Sequence, residues 1–475
     1  MAPSYPIVRP QISTAPNTSS RHQHETVPAA ADYSSIFDHG FHKILNGAGP
    51  PPEHLEPQYA QWEAALGKAC DLPLTIQDAS EGAQDWRRSI RDMSIISSIT
   101  PLKHDFSQLL RARMVLVYLQ QFYVHSTPKD TPSSTCPIRI PASLSIPLLL
   151  ISHALDLPPV VTYADTEYYN FAFPEPTGDS TADPLRLPIR ILHTFSGTSD
   201  EEHFYSVALR IEAEGARALN KMRDMLRLAA VSVGPTPSSG LTPLLLELAE
   251  SIKTMGEILQ TMRAGCEPPV FYGQVRRWFN GCADGAWLYE VDDSADMRAA
   301  VDGSEWLQRE AAGDVRARAM AGSSAAQSSI IQALDVFLGI EELTHERSFD
   351  NAADAKPGAP QGNFLTSMQK YLPLTHRLFL SSLRDQARGL REHVLGLDDG
   401  GAAMRAYNVC VVALREFRTF HVRIATLYIV NQARRAAETT STESAQEKAK
   451  GTGGTELLPF LKGIRDRTNA AELSQ

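Results

Sequence analysis

Cysteine is scarce in this chain, and its few cysteines are unpaired in sequence. The 475 residues contain five, none of them in a CxxC pair: Cys70, Cys136, Cys266, Cys282 and Cys410. This excludes the dense disulfide framework of small secreted domains and argues against a structural zinc site. The N-terminus also lacks the apolar core of a secretory signal peptide. We therefore expect a cytoplasmic protein.

Long apolar runs and an excess of positive charge are also missing. The most apolar stretch, PASLSIPLLLISHALDLPPVV, is interrupted by prolines, His153 and Asp156, so we expect no membrane span. Lysine and arginine number 45 against 55 aspartates and glutamates, a net charge of -10. This balance argues against nucleic-acid binding. No GxSxG, HExxH or GxxxxGK[ST] motif is present, which removes the common hydrolytic and phosphate-binding signatures.

What the chain does have is long helical periodicity, which predicts a mainly α protein. We predict a disordered tail at 1–32, a smaller and mostly helical N-terminal domain at 33–190, and a large all-helical domain at 191–475. Alternating strand patterns are nearly absent from the last of these. The polar stretch within 434–455 is either a mobile lid or a plain linker.

One histidine stands on the apolar face of a predicted helix. In EFRTFHVRIATLYIV, His421 lies among Phe417, Phe420 and Ile424, which recur at helical spacing. Such a ring is either a hydrogen-bonded core residue or a metal ligand, for example to haem iron. Arg418 precedes it by three residues, so both side chains can face one bound group.

Two further segments suggest a ligand site. CEPPVFYGQVRRWFNG places Arg276 on a short helix otherwise suited to burial, where it forms either a structural salt bridge or a contact to a ligand carboxylate. AGSSAAQSSIIQALDVFLGI opens with small residues that either admit a flat ligand or form the N-cap of a core helix.

Together these segments resemble the indoleamine 2,3-dioxygenase family, in particular its fungal members. The resemblance runs from about residue 35 to about residue 465. QSSIIQALDVFLGI and FRTFHVRIATLYI are its most specific parts. It also extends to LDLPPVVTYADTEYYNF, YLPLTHRLFLSSL and KGTGGTELLPFLK, in the same order along the chain.

The resemblance implies a haem b enzyme in which the N-terminal domain covers the distal side of the haem. His421 would be the proximal iron ligand, with Arg418 beside a propionate and Asp335 on the same side. The residues implied to contact substrate are Arg276 at the carboxylate, Phe271, Tyr272, Tyr163, Phe204, Ser324 and, on the mobile loop, Thr452. No residue is implied as a general acid or base.

The implied reaction inserts both atoms of O2 across the indole C2–C3 bond of L-tryptophan and gives N-formyl-L-kynurenine. That places the protein in tryptophan catabolism through the kynurenine pathway, which leads to NAD biosynthesis. We expect a monomer that needs a reductant for the haem.

Four positions depart from the animal members of the family. Glu167 stands where an apolar residue is usual and Ala208 where a serine is common, while Ser323 and Ala326 replace glycines next to Ser324. A carboxyl group in a dry pocket would be protonated or destabilising. A dioxygenase for a modified indole, a haem-binding paralogue with little catalysis and a haem-free helical scaffold are therefore alternatives.

Overall fold

The computed structural model describes residues 33–41, 51–129, 136–173, 189–231, 240–310, 314–341, 364–439 and 457–474. The predicted disordered tail, most of the segment between the two predicted domains and Thr452 lie outside these ranges. Within them, no helix is both long enough and apolar enough to cross a membrane.

The N-terminal part is built around one fully buried helix. Its bounds, in chain order, are α1 Ser34–His39, α2 Ala60–Asp71, α3 Glu81–Arg91, α4 Thr100–Lys103, α5 Phe106–Ser126 and α6 Ala142–Leu155. Side chains cap two starts: Ser80 accepts from the Ala83 amide, and Asp105 from the Gln108 amide. α5 is buried on all sides and forms the core of this part.

The C-terminal part contains the longest helices of the protein. They are α7 Ser199–Val231, α8 Leu241–Gln260, α9 Met262–Gly265, α10 Pro268–Val270, α11 Ala295–Asp302, α12 Ser329–Phe337, α13 Phe364–Met368, α14 Leu374–Ala387, α15 Leu390–Leu395, α16 Ala402–Ala425, α17 Asn431–Thr439 and α18 Leu457–Asn469. The predicted mainly α class is confirmed.

The described chain also contains a small sheet that the helical patterns did not indicate. β1 Ile138–Ile140 pairs in parallel with β4 Trp287–Glu290, and β6 Asp314–Ala317 pairs antiparallel with both β4 and β5 Leu307–Arg309. The strands β4, β5 and β6 fall where we predicted helices alone. They are three or four residues long, too short for an alternating pattern to be detected. A separate hairpin joins β2 Phe171–Ala172 to β3 Arg190–Ile191.

The helices α7, α8 and α16 lie side by side, and α18 packs on α16. At Gly256 on α8 an added Cβ would lie 3.4 Å from the Phe420 ring of α16, an ordinary van der Waals distance. On α7, a Cβ at Gly215 would lie only 2.5 Å from Ile330 of α12. Glycine at position 215 therefore allows α12, and with it the segment that precedes α12, to pack closely on α7.

α16 continues without a break through one π-helical turn, Thr426–Val430, into α17. Residues 434–439 of the predicted mobile loop therefore belong to a helix, and that part of the prediction was wrong. The sequence ARRAAE consists of strong helix formers and extends the preceding helix. The remainder of the loop, 440–455, lies outside the described residues.

Candidate functional site: an aromatic cavity with one histidine

A cavity lies between α7, α16, α18 and the segment that precedes α12. Its internal volume is about 250 Å³, near the lower end of the roughly 300–1,000 Å³ that is usual for small-molecule pockets. Its lining is largely apolar, and its polar members are Tyr163, Glu167, Arg276, Ser323, Ser324, Ser328, Arg418, His421 and Tyr428.

α16 places His421 and Arg418 on the same wall of the cavity. Burial lowers the pKa of His421 to about 4, and the nearby Arg418 guanidinium acts in the same direction. The imidazole is therefore neutral at physiological pH and keeps a lone pair for a ligand bond. Arg418 is buried, pairs with Asp335 at 2.5 Å and donates to the Thr468 hydroxyl. Asp335 does not line the cavity, and its ion pair holds the Arg418 side chain in place.

Aromatic rings form another part of the lining. The Phe204 ring lies 5.0 Å from Phe271 and 5.7 Å from Phe279, centroid to centroid, and Phe271 lies 5.7 Å from Tyr428. Such offset and edge contacts hold the rings in fixed orientations. The cavity thus offers apolar faces on which a planar ligand can stack.

Arg276 lines the cavity on the short helical stretch that follows α10. Burial lowers the pKa of its guanidinium. Arg276 is partly exposed, and its neighbours Gly273, Gln274 and Arg277 are exposed. Tyr272, which the resemblance placed among the pocket aromatics, is not part of the lining; its ring centroid lies 5.9 Å from the guanidinium carbon of Arg276.

Hydrogen bonds hold the segment before α12 against Tyr163 and the π-helical turn Ala164–Tyr168 that follows it. The Tyr163 amide donates to Gln327 Oε1 at 2.8 Å, and the hydroxyls of Thr166 and Ser323 are 3.0 Å apart. Ser324 lines the cavity while its hydroxyl accepts from the Ala326 amide at 3.3 Å. The capping interpretation and the ligand-lining interpretation of this segment are therefore compatible.

A buried ion pair between Asp165 and Arg113 holds the turn that carries Tyr163 and Glu167. Asp165 lies within 3.2 Å of Arg113 on α5, and both side chains are fully inaccessible. Arg113 also donates to Ser152 Oγ and to the Val160 carbonyl, each at 2.6 Å. A buried charge pair with its hydrogen bonds satisfied fixes geometry, so the turn that carries Tyr163 is rigidly held.

Two buried carboxyl groups stand beside the cavity. Glu167, on a π-helical turn at Ala164–Tyr168, lines it and is 2% exposed; burial, with Glu212 and Glu201 nearby, raises its pKa well above the ordinary value. Glu212 on α7 accepts from the Ser328 hydroxyl at 2.5 Å, and burial raises its pKa to about 7. The expectation of a protonated carboxyl at position 167 thus agrees with its surroundings.

Glu212 gives a pH-dependent prediction. Between pH 4.5 and about 7 the unfolded chain releases this proton while the folded protein keeps it, so the free energy of unfolding falls as pH rises. The Glu212→Gln variant has no proton to release at this position, so its free energy of unfolding should not show this fall. The difference in unfolding free energy between the variant and wild type, measured by urea denaturation, should therefore shift in favour of the variant from pH 5 to pH 8 by on the order of 3 kcal/mol. The exposed Glu202→Gln is the control; parallel profiles for wild type and Glu212→Gln would contradict the assignment.

The cavity thus brings together Tyr163, Phe204, Phe271, Arg276, Ser324, Arg418 and His421 from the predicted site. Several lining residues were not predicted, namely Phe279, Phe364, Phe417, Leu457, Leu461 and Ile464. The apolar spacing of LLPFLKGI in α18 is a signal that could have identified the last three. Ala208 and Ser323, noted as departures, also line the cavity.

The site thus combines a helical scaffold, a largely apolar cavity with aromatic rings in its lining, and one neutral histidine. The sequence profile of indoleamine 2,3-dioxygenase matches residues 31–471. The chain belongs to the indoleamine 2,3-dioxygenase family, and it is an oxidoreductase of the dioxygenase type.

Curated relatives match over nearly their whole length. An indoleamine 2,3-dioxygenase of Saccharomyces cerevisiae is 29% identical over 96% of this chain and 96% of its own length. One of Aspergillus candidus is 31% identical over 89% of this chain and 93% of its own. A protein of Fusarium equiseti named 6-hydroxytryptophan 2,3-dioxygenase is 27% identical over 92% and 97% respectively.

Proposed function

We propose that this protein is a haem-dependent dioxygenase that opens the indole ring of L-tryptophan to give N-formyl-L-kynurenine. In this reaction the C2–C3 bond breaks, and each carbon takes one atom of the same O2 molecule, with no further atoms gained or lost. The observation that carries the proposal is that His421 and Arg276 line one cavity. A ligand for haem iron and a partner for an amino-acid carboxylate thus share one enclosed space.

The residues present fit haem b. The cavity walls are apolar and partly aromatic, and burial keeps the His421 imidazole neutral. Arg418 has five N–H donors, of which Asp335 and Thr468 use part, so it can also pair with a propionate. His421 would hold the iron and Arg418 the propionate, with Asp335 orienting Arg418. When bound, haem would supply the redox chemistry toward O2.

The protein's own contribution is orientation. Arg276 would bind the substrate carboxylate through charge-assisted hydrogen bonds, while Phe204, Phe271 and Tyr163 would stack the indole and exclude water. Ser324 would contact the substrate from the segment before α12. We propose that Tyr272 supports the Arg276 side chain and does not stack on the indole. Thr452, outside the described residues, keeps its proposed place on a closing loop.

A dioxygenase acting on a modified indole is the second candidate. Two observations favour it: Glu167 puts a carboxyl group into an otherwise apolar lining, and one relative is named for a hydroxylated tryptophan. In either case the partners we propose are an indole amino acid, O2 and a reductant. We further propose a cytoplasmic monomer that serves the kynurenine pathway and NAD biosynthesis, with the domain division at residue 190.

The proposal is tested by turnover in isotopically labelled oxygen. Haem-reconstituted protein is incubated with reductant, L-tryptophan and ¹⁸O2, and the product is analysed by mass spectrometry. We expect N-formylkynurenine that carries two ¹⁸O atoms. A fully haem-loaded protein that forms no ring-opened product from L-tryptophan or hydroxytryptophan would indicate a non-catalytic paralogue. A protein that stays colourless after haem addition would indicate a scaffold.

A further inference from the structure

Glu167 is a charged-type side chain of the cavity that the proposed reaction does not use. It lines the cavity yet is 2% exposed, and its Oε2 atom has no hydrogen-bond partner among the described residues. A buried polar atom without a partner costs free energy. An apolar residue of similar size would avoid that cost, so the presence of a carboxyl group at this position needs an explanation.

Its position gives the reason. Glu167 is 2% exposed, whereas Arg276 is partly exposed and lies next to the exposed Arg277. Burial raises the pKa values of the Tyr118 and Tyr205 hydroxyls, and Glu167 lies near enough to both to add to the rise. An indole amino acid with its carboxylate at Arg276 would therefore extend its benzene ring, the part farthest from the carboxylate, into the more buried part of the cavity, where Glu167 lies.

The nearby hydroxyl groups are already used. Thr166 and Ser323 contact each other at 3.0 Å, and Ser328 donates to Glu212 at 2.5 Å. Burial and the neighbouring acids keep Glu167 protonated. A neutral carboxyl group both donates and accepts one hydrogen bond, which matches a hydroxyl group. An unmodified benzene ring has no hydrogen-bond donor or acceptor for this carboxyl group.

We propose that Glu167 determines substrate specificity by binding a hydroxyl group on the benzene ring of the indole. This inference rests on the proposed function, because it places an indole amino acid in the cavity with its carboxylate at Arg276. The substrate class is a ring-hydroxylated tryptophan, bound in preference to tryptophan itself.

The test is a comparison of binding, which does not depend on turnover. Dissociation constants of L-tryptophan, 5-hydroxy-L-tryptophan and 6-hydroxy-L-tryptophan are measured by calorimetry on the haem-reconstituted ferric full chain. We expect wild type to bind one hydroxylated ligand roughly tenfold or more tighter than tryptophan. In Glu167→Met, which is apolar and of similar length, that preference should disappear while tryptophan binding is kept. Glu167→Gln should retain part of it, and the exposed Glu202→Met should match wild type.

Two results would overturn the inference. Wild type could bind tryptophan as tightly as both hydroxylated ligands. Alternatively, Glu167→Met could weaken all three equally, which would assign the carboxyl group to a feature they share, such as the indole N–H. A hydroxyl preference without ring-opened product would refute the proposed reaction and leave the binding assignment in place. Turnover of tryptophan without a hydroxyl preference would support the proposed reaction and refute the role of Glu167 in specificity.

Discussion

His421→Ala should abolish stoichiometric haem retention. The imidazole is the candidate axial ligand on a wall of apolar side chains, and burial keeps it in the neutral form that binds a metal. Without it, haem would be held only by apolar contacts and by Arg418. We expect less than a tenth of wild-type haem content after reconstitution and gel filtration, measured by the pyridine haemochrome assay.

Two variants separate loss of the ligand from loss of the fold. His421→Gly leaves space for exogenous imidazole, which should restore haem binding and its absorption spectrum. His203→Ala should leave haem content unchanged, because His203 lies outside the cavity and contacts the Thr261 carbonyl at 2.9 Å. An intact Soret band in folded His421→Ala would remove the ligand assignment.

Arg276→Ala should raise the KM for L-tryptophan by about 30-fold to 1,000-fold. The change removes charge-assisted hydrogen bonds to the carboxylate, a loss of roughly 2 to 4 kcal/mol. Because Arg276 is proposed to bind the carboxylate and not the reacting indole ring, we expect kcat to fall less than KM rises. Steady-state kinetics across tryptophan concentration measure both effects.

The chain offers a matched control at the next position. Arg277 is exposed, carries the same charge and does not line the cavity, so Arg277→Ala should leave kcat/KM unchanged. Tryptamine, which lacks the carboxylate, should bind wild type and Arg276→Ala with equal affinity. If kcat/KM for tryptophan were the same in Arg276→Ala as in wild type, the carboxylate would have to be held elsewhere.

The helix that carries His421 could be predicted because its signal is long and regular. Phe417, Phe420, Ile424 and Tyr428 recur at helical spacing, and the structure has one continuous helix from 402 to 439. Arg418 and His421 could be placed together for the same reason, since three residues along a helix return to nearly the same face.

The sheet and the buried acids could not be predicted because the strands are too short to show a pattern and the remaining contacts join distant segments. β4 is four residues long and is stabilised by pairing with β1, about 150 residues earlier in the chain. Glu167 and Glu212 lie on different elements, and no local pattern shows that they approach each other or that burial raises their pKa values. A sequence segment also does not show which of two adjacent rings lines a cavity, so the position of Tyr272 beside Arg276 could not be predicted.

The most direct test of the account is a crystal structure of the haem-reconstituted protein. We predict that the iron is bonded to a ring nitrogen of His421, with the porphyrin inside the cavity lined by Phe204, Phe271 and Arg418. An iron bonded to any other side chain, or a haem outside this cavity, would contradict the account.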